Sequence, residues 1–306
     1  MVLGGLRVEK RRRIGAYGLC RDGDRVLLVR SSAATDVPGV WQLPGGGLEH
    51  GEHPADAVTR EFLEETGLGV EVIRPRAAVA EVRAVRDLAW HTDRIVYDVR
   101  VTGGTLRASG AEGTSDRAQW FPIERAVGLR LMPFTAELLG APVNPVNGGG
   151  SSSAAPAPPV RADRGQRFAA YGLVTDPDGR VLLTLIAPNY PGAGKWHLPG
   201  GGTDFGEQPE AGLLREIAEE SGQVGRVVEL MSVSDRHNPA ALGPEGYPID
   251  WHAVRVVFRV VVDVPTPPRV LETEGSTAEA AWFDAAEAGS LRLTDVALSA
   301  VRRLVA

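Results

Sequence analysis

Six glutamates stand in two triplets of the same spacing, Glu61, Glu64 and Glu65, then Glu216, Glu219 and Glu220. Separations of three and four residues bring each triplet onto one face of a helix. Three carboxylates held that close repel one another unless cations bind among them. Hard oxygen donors in that number suit Mg²⁺ or Mn²⁺. A divalent ion at such a face can neutralise phosphate oxygens and acidify a bound water, and a nearby carboxylate can take up the proton that water loses.

Each triplet belongs to a longer pattern. Gly46, five residues, Glu52 and seven residues lead into Arg60-Glu61-Phe62-Leu63-Glu64-Glu65-Thr66-Gly67. Gly201, Glu207 and Arg215 through Gly222 repeat it at the same intervals. Seven fixed positions arise by chance at about 10⁻⁸ per window when each residue type has its background frequency. The pattern resembles the Nudix box, the signature of the Nudix hydrolase family. The resemblance implies metal ligation by Glu64 with Glu65 and by Glu219 with Glu220, with Glu61 and Glu216 as ligand or base. It also implies that a further base comes from a later loop. Glu112 and Glu274 are the candidates, each eight residues before a matched tryptophan (Trp120, Trp282), and a solvated loop glutamate is the competing reading.

The residues around the triplets have their own readings. Arg60 precedes Glu61 and lies four residues before Glu64, so it can orient a carboxylate or contact Glu52; Arg215 and Glu207 repeat the arrangement. Gly45-Gly46-Gly47 and Gly200-Gly201-Gly202 let backbone approach metal and phosphate, which makes Gly46, Gly47, Gly201 and Gly202 substrate-binding candidates. Arg30, after VLLV, suits a phosphate contact, and its counterpart is Leu185. His91 and His252 follow matched tryptophans and read as structural residues, with substrate contact as the alternative. Lys10 to Arg13 read as a solvated tail, with contact to phosphates at the first site as the alternative. Gln223 occupies a box position that is usually apolar in the family, and the expectation is a loss of packing beyond the helix end.

The elements that must hold these residues read alike in both copies. A strand (RVLLVR; VLLTL, after a DPDG turn) precedes the Gly-rich loop. A helix follows, with Pro54 or Pro209 at its first turn and Gly67 or Gly222 just past its end. Ala55, Val58 and Phe62 form the expected apolar stripe of the first helix, and Leu213, Leu214 and Ile217 that of the second. A β-rich stretch and a short terminal helix complete each copy. Strands and helices without regular βαβ alternation argue an α+β fold. The resemblance implies two Nudix-type α/β/α sandwiches with mixed sheets.

The duplication runs through most of the chain. AYGLC matches AYGLV, VWQLPGGG matches KWHLPGGG, and the six tryptophans pair off. The offset begins near 155 and widens after the second box, where DRHNPAALGPEGYPID forms a longer loop before Trp251. Pro, Gly, Ser and Ala between the copies read as a linker. The expected domains are 1–141 and 164–306, joined by 142–163, either tethered or packed as an intramolecular pseudo-dimer.

Composition narrows the function further. The 306 residues carry a net charge of −6, with 43% hydrophobic and 24% charged residues, the profile of an ordinary globular protein rather than a nucleic-acid coat or a binder of anionic membranes. Cys20, the single cysteine, excludes an intrachain disulfide and fits a cytoplasmic setting. Basic residues are nearly all Arg, which points to a GC-rich, bacterial genome. The expectation is a magnesium- or manganese-dependent hydrolase of nucleoside diphosphate derivatives, with no membrane segment and no stable nucleic-acid partner. The alternative is a nucleotide sensor or scaffold that binds without cutting.

Overall fold

The computed structural model describes residues 8–85, 87–107, 113–146, 163–242, 248–272 and 275–305. The first copy contains β1 (Glu9–Asp22), β2 (Arg25–Ser31), β3 (Trp41–Gln42), β4 (Gly45–Gly47) and α1 (Pro54–Thr66). It continues with β5 (Leu68–Val85), β6 (Leu88–Gly104), β7 (Ser115–Pro122), α2 (Ile123–Ala126) and α3 (Pro133–Leu139). The second copy follows the same order: β8 (Arg164–Thr175), β9 (Val181–Ile186), β10 (Trp196–His197), β11 (Gly200–Gly202) and α4 (Pro209–Ser221). Then come β12 (Arg226–Leu242), β13 (Pro248–Val261), β14 (Thr277–Phe283), α5 (Ala285–Ala288) and α6 (Asp295–Val305).

Each copy builds a seven-stranded sheet. The first has the order β3-β2-β1-β6-β5, with β4 added to β1 and β7 to β2; the second is β10-β9-β8-β13-β12, with β11 added to β8 and β14 to β9. In the first sheet β1 runs parallel to β6, from Glu9 opposite Leu88 to Cys20 opposite Val99, while its other pairings are antiparallel. It is a mixed sheet, as expected.

Successive residues of a strand point to opposite faces, so β1 shows how the layers stack. A Cβ at Gly18 would lie 2.6 Å from the Phe62 ring of α1, so the missing side chain is what lets that helix close onto the strand. The next residue inward, Tyr17, packs its ring 4.8 Å from Phe134 of α3. Helices therefore cover both faces of the sheet. On the α3 side the core collects Leu19, Val26, Leu28, Leu43, Val96 and Leu139. In the second copy Gly172 faces Ile217 of α4, while Leu173 packs with Ala297, Ala300 and Val301 of α6. The α/β/α sandwich is present twice.

Two sequence expectations change in detail. The buried stripe of α1 is Ala57, Val58 and Phe62, all fully buried, and Ala55 lies at the margin; in α4 it is Gly212, Leu213 and Ile217, with Leu214 only half-buried. The run Lys10 to Arg13 is no tail. It continues β1 against β6, where Arg12 holds the buried Asp93 at 2.7 and 3.1 Å and Arg13 donates to Thr92. A strand partner is compatible with four charges here because Lys10 and Arg13 stay exposed while Arg12 is paired with Asp93.

The described residues gather into two compact units, Met1–Gln166 with Asp235–His252, and Arg167–Ser234 with Ala253–Ala306. Among the described residues no helix is long and apolar enough to cross a membrane.

Candidate active site

The site in each unit is built where a three-glycine strand meets the box helix. α1 starts at Pro54, with the His53 side chain capping the N–H of Ala55, and ends at Gly67 in a left-handed conformation (φ 69°) that lets its N–H return to Leu63 O. The strand β4 lies against β1, and a Cβ at Gly45 (φ 140°) would sit 2.2 Å from Ala16 O. A Cβ at Gly46 would press at 2.6 Å on the Glu61 carboxylate. Glycines thus bring backbone within bonding distance of the helix carboxylates.

Glu65 is the deepest of the three. It is 3% exposed, accepts the Gly45 N–H at 2.9 Å, and its other oxygen takes bonds from the hydroxyls of Ser115 and Thr114. Burial pushes its carboxyl up to about 7, against the opposing pull of those hydrogen bonds. Glu61 is also raised, chiefly by burial, with Arg60 pulling the other way. Glu64 is the outermost, with 58% of its side chain exposed.

Arg60 ties the set together. Its guanidinium makes a two-pronged contact with Glu52, 2.9 Å on each arm, and reaches Glu61 at 3.0 Å, Glu64 at 3.5 Å and Gly47 O at 3.2 Å. Glu52 in turn accepts the N–H of Glu49, so one carboxylate closes the loop and braces the arginine. The contact with Arg60 holds the Glu52 carboxyl low and raises the arginine.

The second unit reproduces the core of this network. Gly200 N–H meets Glu220 at 2.8 Å, and Thr277 donates to the opposite oxygen. Glu220 is 4% exposed and is likewise pushed to about 7 by burial. Arg215 contacts Glu207 at 2.9 and 3.2 Å, Glu216 at 3.2 Å, Glu219 at 2.9 Å and Gly202 O at 3.4 Å. Glu207 also accepts the N–H of Asp204.

A model of the NUDIX domain matches residues 9–139 and, separately, residues 165–304. The chain belongs to the Nudix family. Among curated proteins, the 8-oxo-dGDP phosphatase of Mus musculus is 37% identical over 100 residues, which cover 32% of this chain and 28% of that one. Nudix hydrolase 25 of Arabidopsis thaliana is 36% identical over 120 residues, 34% of this chain and 67% of the relative. A putative 8-oxo-dGTP diphosphatase of Mycobacterium tuberculosis is 33% identical over 129 residues, 40% of this chain and 58% of the relative. The chain thus spans only about a quarter to two thirds of the length of these Nudix relatives.

The remaining sequence candidates divide. Arg30 lies on β2 with its charge engaged by Asp116 of β7, at 2.8 and 3.1 Å, so a phosphate there would compete with that pair. Glu112 and Glu274 lie outside the described residues. His91 is fully buried and bonds Asp93 at 3.2 Å, and His252, also fully buried, meets Asp235 at 3.3 Å. Gln223 overturns its expectation. It is 1% exposed, yet its amide donates to Ser221 O and to both oxygens of Thr266, while its carbonyl accepts the Thr266 N–H. A polar side chain replaces apolar packing without a lost bond.

One acidic residue escaped the sequence reading. Glu272 hangs from the last turn of α4 by its N–H to Glu219 O at 3.2 Å, and its charge adds a small push to the burial that raises both Glu216 and Glu220. The signal was there in the run LETEG, where it stands two residues before Glu274. The chain crosses the helix end in register in both Nudix units, through Arg107 N–H to Thr66 O and Arg269 N–H to Ser221 O. That offset of Arg107 to Arg269 aligns Glu272 with Gly110, so this carboxylate is particular to the second unit.

Proposed function

We propose that each unit hydrolyses a diphosphate linkage in a nucleoside diphosphate derivative. The observation that carries this reading is the repeated burial of Glu65 and Glu220 beside a glycine strand, with Glu61/Glu64 and Glu216/Glu219 next to them. A desolvated carboxylate with two carboxylate neighbours is stable in its charged form only beside a cation, and oxygen donors alone fit a hard divalent ion. Glu61, Glu64 and Glu65 would hold it in the first unit, and Glu216, Glu219 and Glu220 in the second. Mg²⁺ or Mn²⁺ bound there would neutralise diphosphate oxygens and acidify a water.

The chain's own groups supply the rest. Glu61 or Glu216, half-buried and raised in pKa, accepts the proton of the attacking water at a carboxylate oxygen. Arg60 or Arg215 fixes that carboxylate in place. In the second unit, Glu272 or Glu274 stands as a further base; in the first, Glu112 does. The names of the relatives favour a nucleoside di- or triphosphate with an oxidised purine for at least one unit, with ADP-ribose or a nucleotide sugar as the class to compare for the other.

The test is product release from a panel of those compounds with Mg²⁺ or Mn²⁺, for the full chain and for the Glu64→Gln/Glu65→Gln and Glu219→Gln/Glu220→Gln variants. Each double variant should remove one set of products. Saturable nucleotide binding by the unaltered chain with no product from any compound would replace this reading with a sensor.

A further inference from the structure

A second constellation of ligand-type side chains, none of them in the glutamate triplet, lies in the first unit. His50 comes from the loop between β4 and α1, His237 from β12 and Asp250 from β13. One donor atom from each falls within 4.8 Å of the others. Asp250 Oδ1 sits 2.6 Å from His237 Nε2 and 3.1 Å from His50 Nε2, and the two imidazole rings stand 5.5 Å apart and nearly perpendicular. We propose that His50, His237 and Asp250 bind a borderline transition-metal ion, Zn²⁺ in the first instance.

Three observations support an ion over a simple hydrogen-bonded cluster. His50 Nε2 is buried and faces Asp250 Oδ1 at 3.1 Å, the same oxygen that His237 Nε2 meets at 2.6 Å, so two imidazole nitrogens converge on one carboxylate oxygen. Gly51, at φ 82°, leaves room for the second imidazole, since a Cβ there would lie 2.7 Å from His237 Nδ1. Behind the group stands His252, fully buried, its ring 5.7 Å from that of His50 and its Nδ1 without a hydrogen-bond partner among the described residues. Crowding two imidazole nitrogens onto one carboxylate oxygen leaves them incompletely hydrogen-bonded, a cost that an ion seated between the three would offset.

The donor set decides the ion. Two imidazoles and one carboxylate suit zinc and its neighbours in the transition series, whereas the glutamate triplets offer oxygen alone and suit magnesium. A tetrahedral zinc site takes bonds of about 2.0–2.2 Å, so the donor atoms need only part slightly from their present spacing, and water fills the fourth position. The other oxygen of Asp250 faces Arg164 at 3.5 Å, which leaves Oδ1 for the ion. An ion here would fasten the loop that carries Glu52, two residues from His50, and so would stiffen the brace of Arg60.

The experiment strips the full chain of metal and titrates it with Zn²⁺, and in parallel with Co²⁺ as a spectroscopic reporter, in excess Mg²⁺ to occupy the glutamate sites. One equivalent of Zn²⁺ should be retained, with Co²⁺ giving the intense visible bands of a four-coordinate nitrogen-containing site. His237→Ala and Asp250→Asn should each weaken zinc binding by more than about tenfold with circular dichroism unchanged. Failure of the unaltered chain to retain zinc would overturn the proposal. So would variants that retain it with unaltered affinity, because the ion would then sit elsewhere.

Discussion

The backbone N–H of Gly45 donates to Glu65 across 2.9 Å, and through that bond a strand holds the charge-bearing end of a buried side chain. The same bond joins Gly200 to Glu220. The carboxylate is thereby positioned at the price of desolvation, and much of the protein's response to pH, metal and mutation follows from that opposition.

Replacing the charge should separate stability from activity. Glu65→Gln keeps the shape of the side chain and removes the buried charge. In metal-free protein near pH 8 it should stabilise the first unit by about 1–3 kcal/mol, while abolishing products that depend on the first site. Thermal unfolding and product release on the same preparation check both halves. A lowered melting temperature would mean that lost hydrogen bonds outweigh the relieved burial.

The pH dependence has a definite sign. Glu65 and Glu220 titrate near 7 in the folded protein, above the ordinary 4.5 of an unfolded chain. A raised carboxyl binds more protons when folded, so its stabilisation is complete below the unfolded value and is lost as pH rises through the folded one. Melting temperature of metal-free protein should therefore fall between about pH 5 and about pH 8. Mg²⁺ should raise it more at the upper end than at the lower. Equal shifts at both ends would remove these two glutamates as the source.

Arg60 and Arg215 cannot be exchanged for lysine without loss. An ammonium cannot span both oxygens of Glu52 and still reach Glu61. Arg60→Lys should lower kcat for first-site substrates by about 100-fold with a smaller change in KM, because a displaced carboxylate misaligns the reacting groups. Steady-state kinetics with Arg215→Lys as the partner variant measures this. An effect confined to KM would assign the arginine to substrate binding.

Gln223 offers a test of an apolar consensus against local bonding. Gln223→Leu would match the packing of Leu68, its counterpart, but would remove the side-chain amide that accepts the Thr266 N–H and donates to Thr266 and Ser221 O. Destabilisation of about 1–3 kcal/mol is expected in denaturant unfolding. A stabilised variant would show that apolar burial exceeds the value of those bonds.

The parts of the site that were legible in sequence are those governed by local periodicity. Glu61, Glu64 and Glu65 had to share a helix face, Pro54 and Gly67 had to bound that helix, and the spacing of Glu52 from Arg60 allowed their contact. What stayed hidden depends on partners distant in the chain. Lys10 to Arg13 look like a tail until β6 is placed beside them. Ala57 displaces Ala55 from the buried stripe because the direction of the core, not the helix alone, selects the face. Gln223 looks like a defect without Thr266, forty-three residues on. Glu272 gains meaning only from its bond to the end of α4.

The close approach of Gly45 to Ala16 O has a consequence for how the two copies can diverge. Every substitution at that glycine adds at least a methyl group, and the space is already filled by a carbonyl oxygen of a central strand. Gly200 is caught in the same way against Ala170 O. The loop is therefore barred from drift by the backbone beside it, whatever substrate it serves. Novelty in either copy has to enter by other doors, through the hairpins and loops where the repeat offset widens, while the glycine strand keeps its form.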